Sequence, residues 1–151
     1  MSNLDRTELT LEAIRSNLSS NPDALIESYL AQYLTVVFHS EIEEKVTLIL
    51  RSRLAAKGDE KLSKFIVNTA TELIKRTKKT DIRKLVERFG NDAVETFDRS
   101  ITDEEVSYYS SIITARHITS HSRNASVTIK DIERGVKSAK KILSSLEMAI
   151  I

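Results

Sequence analysis

The chain has no cysteine and no tryptophan, one proline and three glycines in 151 residues. Without cysteine there are no disulfides, no thiolate nucleophile and no Cys-based zinc or iron–sulfur site. Aromatic residues make up 5% of the chain, too few for a platform on which single-stranded bases stack. There is no phosphate-cradling glycine loop, no serine-centred elbow and no paired-carboxylate constellation, so P-loop enzymes, kinases and the usual hydrolases are not indicated. Charge of either sign is not in excess: the net charge is +1, so any nucleic-acid contact must come from local patches. Long apolar runs are missing too. The longest, around Leu34 to Phe38, is far too short to span a bilayer. The first nineteen residues carry Asp5, Arg6, Glu8, Glu12 and Arg15 and lack the apolar stretch of a secretory signal. A cytoplasmic protein with no membrane association is expected.

What the chain does have is Leu, Ile, Lys, Glu and Arg in helical periodicity, which points to an all-α fold. Its length suits one domain, 1–151, with residues 1–20 as a short helical extension. A short helix is expected over 9–18. Asn21 and Pro22 then open a long helix that runs to about Lys57 and stops at Gly58. Its inward face reads Ile26, Tyr29, Tyr33 and Val37, then Ile42, Val46 and Ile49. Asp59 caps a helix with Leu62, Phe65 or Ile66, Thr69 and Leu73 inward, ending in the basic run Lys75 to Lys79, which suits a helix C-terminus. Thr80 opens a shorter helix closed by Gly90, and Asn91 opens another through Phe97. Thr102 with Glu105 makes a capping box for a helix over 103–122, and Thr128 with Asp131 starts the last one. That last helix carries the stripe Ile129, Ile132, Val136, Ala139, Leu143, Leu146 and Ile150, with Gly135 as a close-packing position. The sum is an antiparallel bundle of four long helices and two or three short ones.

One segment breaks the pattern. Val106, Tyr109 and Ile113 share a face, and at about 100° per residue that face continues through Arg116, His117 and Ser120, with His121 at its edge. A stripe that turns from apolar to cationic is costly unless those groups are paired or used. Arginine supplies a permanent cation suited to phosphate, and histidine a proton that moves near neutral pH. Arg116 and His121 are separated by about 7.5 Å of rise and about 140° of rotation, so they converge through the long arginine stem, a helix distortion or a second copy of the chain. In such a site His121 would act as general base on a ribose 2′-hydroxyl or general acid on the leaving 5′-oxygen. Arg116 would stabilise charge on the phosphoryl oxygens. The bland alternative is a pair of hydrogen-bonded interface or core polar groups.

Other constellations are weaker. His117 and His121, at i and i+4, could face one metal, but no third ligand lies nearby in sequence, and no metal or other cofactor is expected. Lys130, Arg134, Lys137 and Lys141 form a stripe on the last helix which, with Arg123, could track an RNA backbone. A solvated helix face explains it equally well. Glu43, near His39 on the long helix, could reach inward to orient an imidazole or pair with Arg116, or could simply be solvated.

The stretch from Ile112 to His121, with Arg116 and His121 five residues apart, resembles the Arg-(four to six residues)-His signature of the HEPN superfamily. The likeness extends to Tyr33–Phe38 leading to Glu43, to Leu85–Gly90 and to Val127–Ile132, which resemble helices of the RiboL-PSP-type HEPN domains. It covers roughly residue 22 onward. The resemblance implies an all-α homodimer whose two motifs form one composite site, and a metal-independent endoribonuclease that leaves 2′,3′-cyclic phosphate ends. It further implies a toxin or antiviral effector, with an antitoxin or regulatory protein as a possible partner. Arg116 and His121 map onto the catalytic pair, His117 onto the polar position after the arginine, and Glu43 onto an acidic supporting position; Ser120 lies beside the pair. Two alternatives stay open: a catalytically silent module that binds RNA, a nucleotide or a protein, and a structural dimerisation domain.

Overall fold

The computed structural model describes residues 2–20, 22–55, 58–74, 76–119 and 127–151, without the side chains of 116–119. Its regular structure, among the described residues, is entirely helical: α1 (Asp5–Ser20), α2 (Ala24–Ala55), α3 (Glu60–Leu73), α4 (Lys79–Glu87), α5 (Asn91–Arg99), α6 (Asp103–Thr119) and α7 (Ile129–Ile150). No helix among the described residues is long and apolar enough to cross a membrane.

The starts follow from local chemistry. Asp23 accepts from the Leu25 and Ile26 amides at the head of α2, and Asp59 accepts from the Leu62 amide at the head of α3. Thr102 and Glu105 exchange bonds at the head of α6, as Thr128 and Asp131 do at the head of α7. Each satisfies amides that the first turn leaves without a helical partner. The reversal from α4 into α5 is made at Gly90, whose φ of 109° suits a residue without a Cβ.

Ion pairs and close contacts set the directions. Glu8 pairs with Lys140 and Arg15 with Glu133, so α1 runs antiparallel to α7. Glu105 pairs with Lys141 and Ile112 meets Gly135, so α6 is antiparallel to α7 as well. The short link from α1 to α2 turns the chain back, with Thr7 bonded to Glu41. The end of α6, the start of α7 and the first turns of α2 therefore share one end of the bundle. Between the helices lies one core, including Leu34, Phe38, Ile42, Val46, Tyr109, Ile112, Ile132, Leu143 and Leu146. Leu4, Leu11 and Ile14 belong to it too, so α1 is an integral wall of the bundle. α4 and α5 are tied together through Asp98, which accepts from Lys79 at 3.1 Å and Arg83 at 2.9 Å.

Several expectations need correction. α1 has 16 residues against the 14 of α3, so the first helix is not one of the short ones. The expected cap, Asn21, lies outside the described residues, and Asp23 fills that role. In α2, Ile42, Val46 and Ile49 are buried as expected, but Ile26, Tyr29 and Tyr33 are exposed. The inward side of its first half is Ala31, Leu34, Thr35, Phe38 and His39. That half is apolar on two sides, and its neighbours decide which side is covered. In α3 the expected Leu62, Phe65, Thr69 and Leu73 point outward, Ile66, the alternative to Phe65, is half-buried, and Val67 and Ala70 are buried. The basic run does not close α3, which stops at Leu73; Lys79 instead opens α4.

Candidate functional site

The motif stands at the end of a firmly anchored helix. Tyr109, Ile112, Ile113 and Ala115 are all buried, and the Phe38 and Tyr109 rings meet at 6.2 Å between centroids, tilted by 60°. The Tyr109 hydroxyl donates to the Thr77 carbonyl in the α3–α4 turn, where Thr77 adopts a φ of 47°. Burial pushes the Tyr109 hydroxyl far above its ordinary pKa, so it stays a protonated donor at every physiological pH. Val106, the third residue of the expected face, is half-buried.

Arg116 and His117 fall in the last turn of α6, directly after this anchored stretch. Their side chains lie outside the described residues, as do Ser120, His121 and Arg123 altogether. Beyond them, Thr128 caps α7 directly after Val127. Both helices that bracket the motif therefore begin at a full capping box. Hydrogen bonds from Lys141 and Thr102 hold the Glu105 carboxyl below the usual carboxylate range. Those from Thr128 do the same for Asp131.

Glu43 is about half exposed, and its Oε1 lies 3.5 Å from Nδ1 of the buried His39. It sits on the flank of α2, one turn beyond an imidazole it can orient. The carboxylate buried in this helix is a different one. Glu41, 3% exposed, accepts from the Arg6 amide at 3.0 Å, the Thr7 amide at 2.8 Å and the Thr7 hydroxyl at 2.6 Å. It thus caps α1 from across the bundle. Its sequence signal is that Leu34, Phe38 and Glu41 share a helical face, so an apolar stripe runs straight into an acid.

The basic stripe of α7 is partly committed elsewhere. Lys141 is bonded to Glu105 at 2.7 Å, and the Arg134 guanidinium lies over the Tyr108 ring at 5.4 Å. Lys130 and Lys137 are exposed. Of these, Lys130 stands in the first turn of α7 and is the nearer to the motif in sequence. Among the described residues no group of three or more His, Asp or Glu side chains could hold a metal ion. No family model, no curated protein and no solved structure matches this chain.

Proposed function

We propose that the protein is a HEPN-type, metal-independent endoribonuclease, acting as a toxin or defence effector through a homodimer with a composite site. The observation that carries the reading is the position of the Arg116-to-His121 motif. It begins in the last turn of a core-anchored α6, and the next helix in the chain is the capped amphipathic α7. A catalytic pair needs a rigid support, and Tyr109, Ile112, Ile113 and Ala115 supply one. The exposed Lys130, in the first turn of α7, adds a cation suited to a phosphate backbone.

In this reading one His121 imidazole takes the proton from a ribose 2′-hydroxyl. The 2′-oxygen attacks phosphorus, and the 5′-oxygen leaves with a proton from the second His121. The products are a 2′,3′-cyclic phosphate and a 5′-hydroxyl. Arg116 neutralises charge on the phosphoryl oxygens as the transition state forms, and His117 and Ser120 help hold it in place. Glu43 supports from α2, and Arg123 with the exposed Lys130 and Lys137 makes up the RNA-facing cations, while Lys141 and Arg134 of the same stripe are engaged by Glu105 and Tyr108.

The test is incubation of the pure protein with total RNA and tRNA in EDTA, beside Arg116→Ala and His121→Ala. Cleavage by the wild type with cyclic-phosphate ends, reduced 10²-fold or more in each variant, is the expected result. Equal cleavage by all three, or none by any, overturns it; RNA binding without cleavage would then indicate a silent module.

A further inference from the structure

The basic run after α3 is not accounted for by the helices on either side of it. From Lys75 to Arg88 the sequence has seven basic residues and two acidic ones, in a chain whose net charge is +1. Asp98 engages Lys79 and Arg83, and Glu87 pairs with Arg83 too. Arg76, Lys78, Lys84 and Arg88 are exposed and make no ion pair among the described residues. Lys84 and Arg88 stand at the C-terminal end of α4, where the helix dipole favours cations. No such reason covers the other two. Arg76 lies past the Ile74 cap of α3, and Lys78 is the N-cap residue of α4, at the end of a helix that disfavours a cation.

The turn that carries Arg76 and Lys78 is pinned to the motif helix. Thr77, between them, is fully buried, holds a φ of 47° and leaves its hydroxyl without a hydrogen-bond partner among the described residues. A threonine in the left-handed region and an unpaired buried hydroxyl both cost stability, so the fold holds this turn against its local preference. The Thr77 amide donates to the Ile74 carbonyl at 2.8 Å, and its carbonyl accepts from the Tyr109 hydroxyl of α6. Arg116 follows Tyr109 by seven residues on the same line of an ideal helix, about 10 Å further along the axis. We infer that Arg76 and Lys78 form a second phosphate-binding point for the RNA cleaved at the motif, kept in register with it by the Thr77–Tyr109 bond. The inference rests on the ribonuclease reading for the place of the scissile bond. A stacked strand with one phosphate per about 3.4 Å covers that distance with about three nucleotides. The substrate is therefore an RNA strand of several nucleotides, since a dinucleotide is too short to reach both points. Fixing the backbone beneath two flexible cations lowers the ordering that binding must supply.

Fluorescence anisotropy of a labelled, unstructured RNA of about a dozen nucleotides tests it, titrated in EDTA at several salt concentrations with His121→Ala as the non-cleaving background. Adding Arg76→Ala/Lys78→Ala should flatten the slope of log affinity against log salt by about 1.4, at about 0.7 for each phosphate contact, and weaken binding roughly 25-fold at 0.1 M salt. Lys61→Ala/Lys64→Ala removes the same charge from the exposed head of α3 and should leave slope and affinity as they were. Circular dichroism should be unchanged in both. In the chain with His121 restored, Arg76→Ala/Lys78→Ala should raise KM for the same RNA while kcat stays within about twofold, and leave cleavage of a dinucleotide unaltered. An unchanged slope, an equal loss in the α3 variant or an equal loss on the dinucleotide overturns the inference, and RNA cleavage by the wild type then still upholds the ribonuclease reading. A flattened slope with no cleavage by the wild type keeps the phosphate-binding turn and removes the ribonuclease reading instead. No RNA binding overturns both.

Discussion

The two longest helices, α2 and α7, carry the same kind of apolar pattern, which marks the buried side of α7 throughout and that of α2 only in its second half. α7 has a single apolar stripe with charge on its other side, and every stripe residue from Ile129 to Ile150 is buried. α2 is apolar on two sides over its first three turns, and the side chosen from sequence is the exposed one. A helix with one stripe states its own orientation. A helix with two leaves the decision to its neighbours, and the stripe that is not chosen remains as surface. The misreading of α2 and its apolar patch are therefore one fact.

The sharpest way to break this contrast is to truncate one side chain from each face of α2. Phe38 is fully buried against Tyr109, so Phe38→Ala should cost about 3–5 kcal/mol by urea unfolding. Tyr33→Ala, about half exposed from the other face, should change intrinsic stability by less than about 0.5 kcal/mol. Measurement at a protein concentration low enough to keep the chain monomeric removes any contribution from association. Comparable losses at both positions would mean that the sequence reading of α2 had the correct face.

A smaller effect is expected at the seam between α6 and α7. A Cβ built on Gly135 would overlap Ile112 Cγ1, a branch near the backbone that cannot swing clear as a side-chain tip would. The helix gains from replacing glycine by about 1 kcal/mol, while overpacking costs about 1–3 kcal/mol. Gly135→Ala should thus be destabilising by about 1 kcal/mol, and Gly135→Ala with Ile112→Val should recover part of that loss. If Gly135→Ala raises the melting temperature, the seam is looser than the contact implies.

Which parts were legible follows from the range over which each signal acts. Capping boxes at Thr102 and Thr128, the Asp59 cap and the Gly90 reversal depend on neighbours within three or four residues, and all four stand where the sequence put them. The choice between the stripes of α2 and of α3 depends on helices tens of residues away, and there local periodicity gave the wrong side. Glu41 was missed for the same reason: its partners, Arg6 and Thr7, lie more than thirty residues earlier. Of the candidate site, the sequence supplied residue types and spacing. Glu43 proved to be a flank residue beside His39, and Lys141 proved to be tied to Glu105. Arg116, His117, Ser120, His121 and Arg123 still rest on sequence alone.

The mildest prediction uses acid to probe the caps that made α6 and α7 legible. Bonds from Lys141 and Thr102 lower the Glu105 carboxyl, and bonds from Thr128 lower Asp131. Burial pushes Asp98 up, but its bonds to Lys79 and Arg83 outweigh that and leave it low as well. A carboxyl whose folded pKa lies below its unfolded value contributes stability that is whole above the unfolded value, near 4, and disappears as pH falls through the folded one. The melting temperature should accordingly be flat near neutrality and fall by a few degrees as the pH drops below about 4. Glu105→Gln/Asp131→Asn should lower the plateau and shallow that decline, because the groups that titrate at the two caps have been removed. An identical slope in the variant would place the acid sensitivity elsewhere, with Asp98 the first residue to replace, and would separate the caps as local start signals from any role in holding the two motif-bracketing helices.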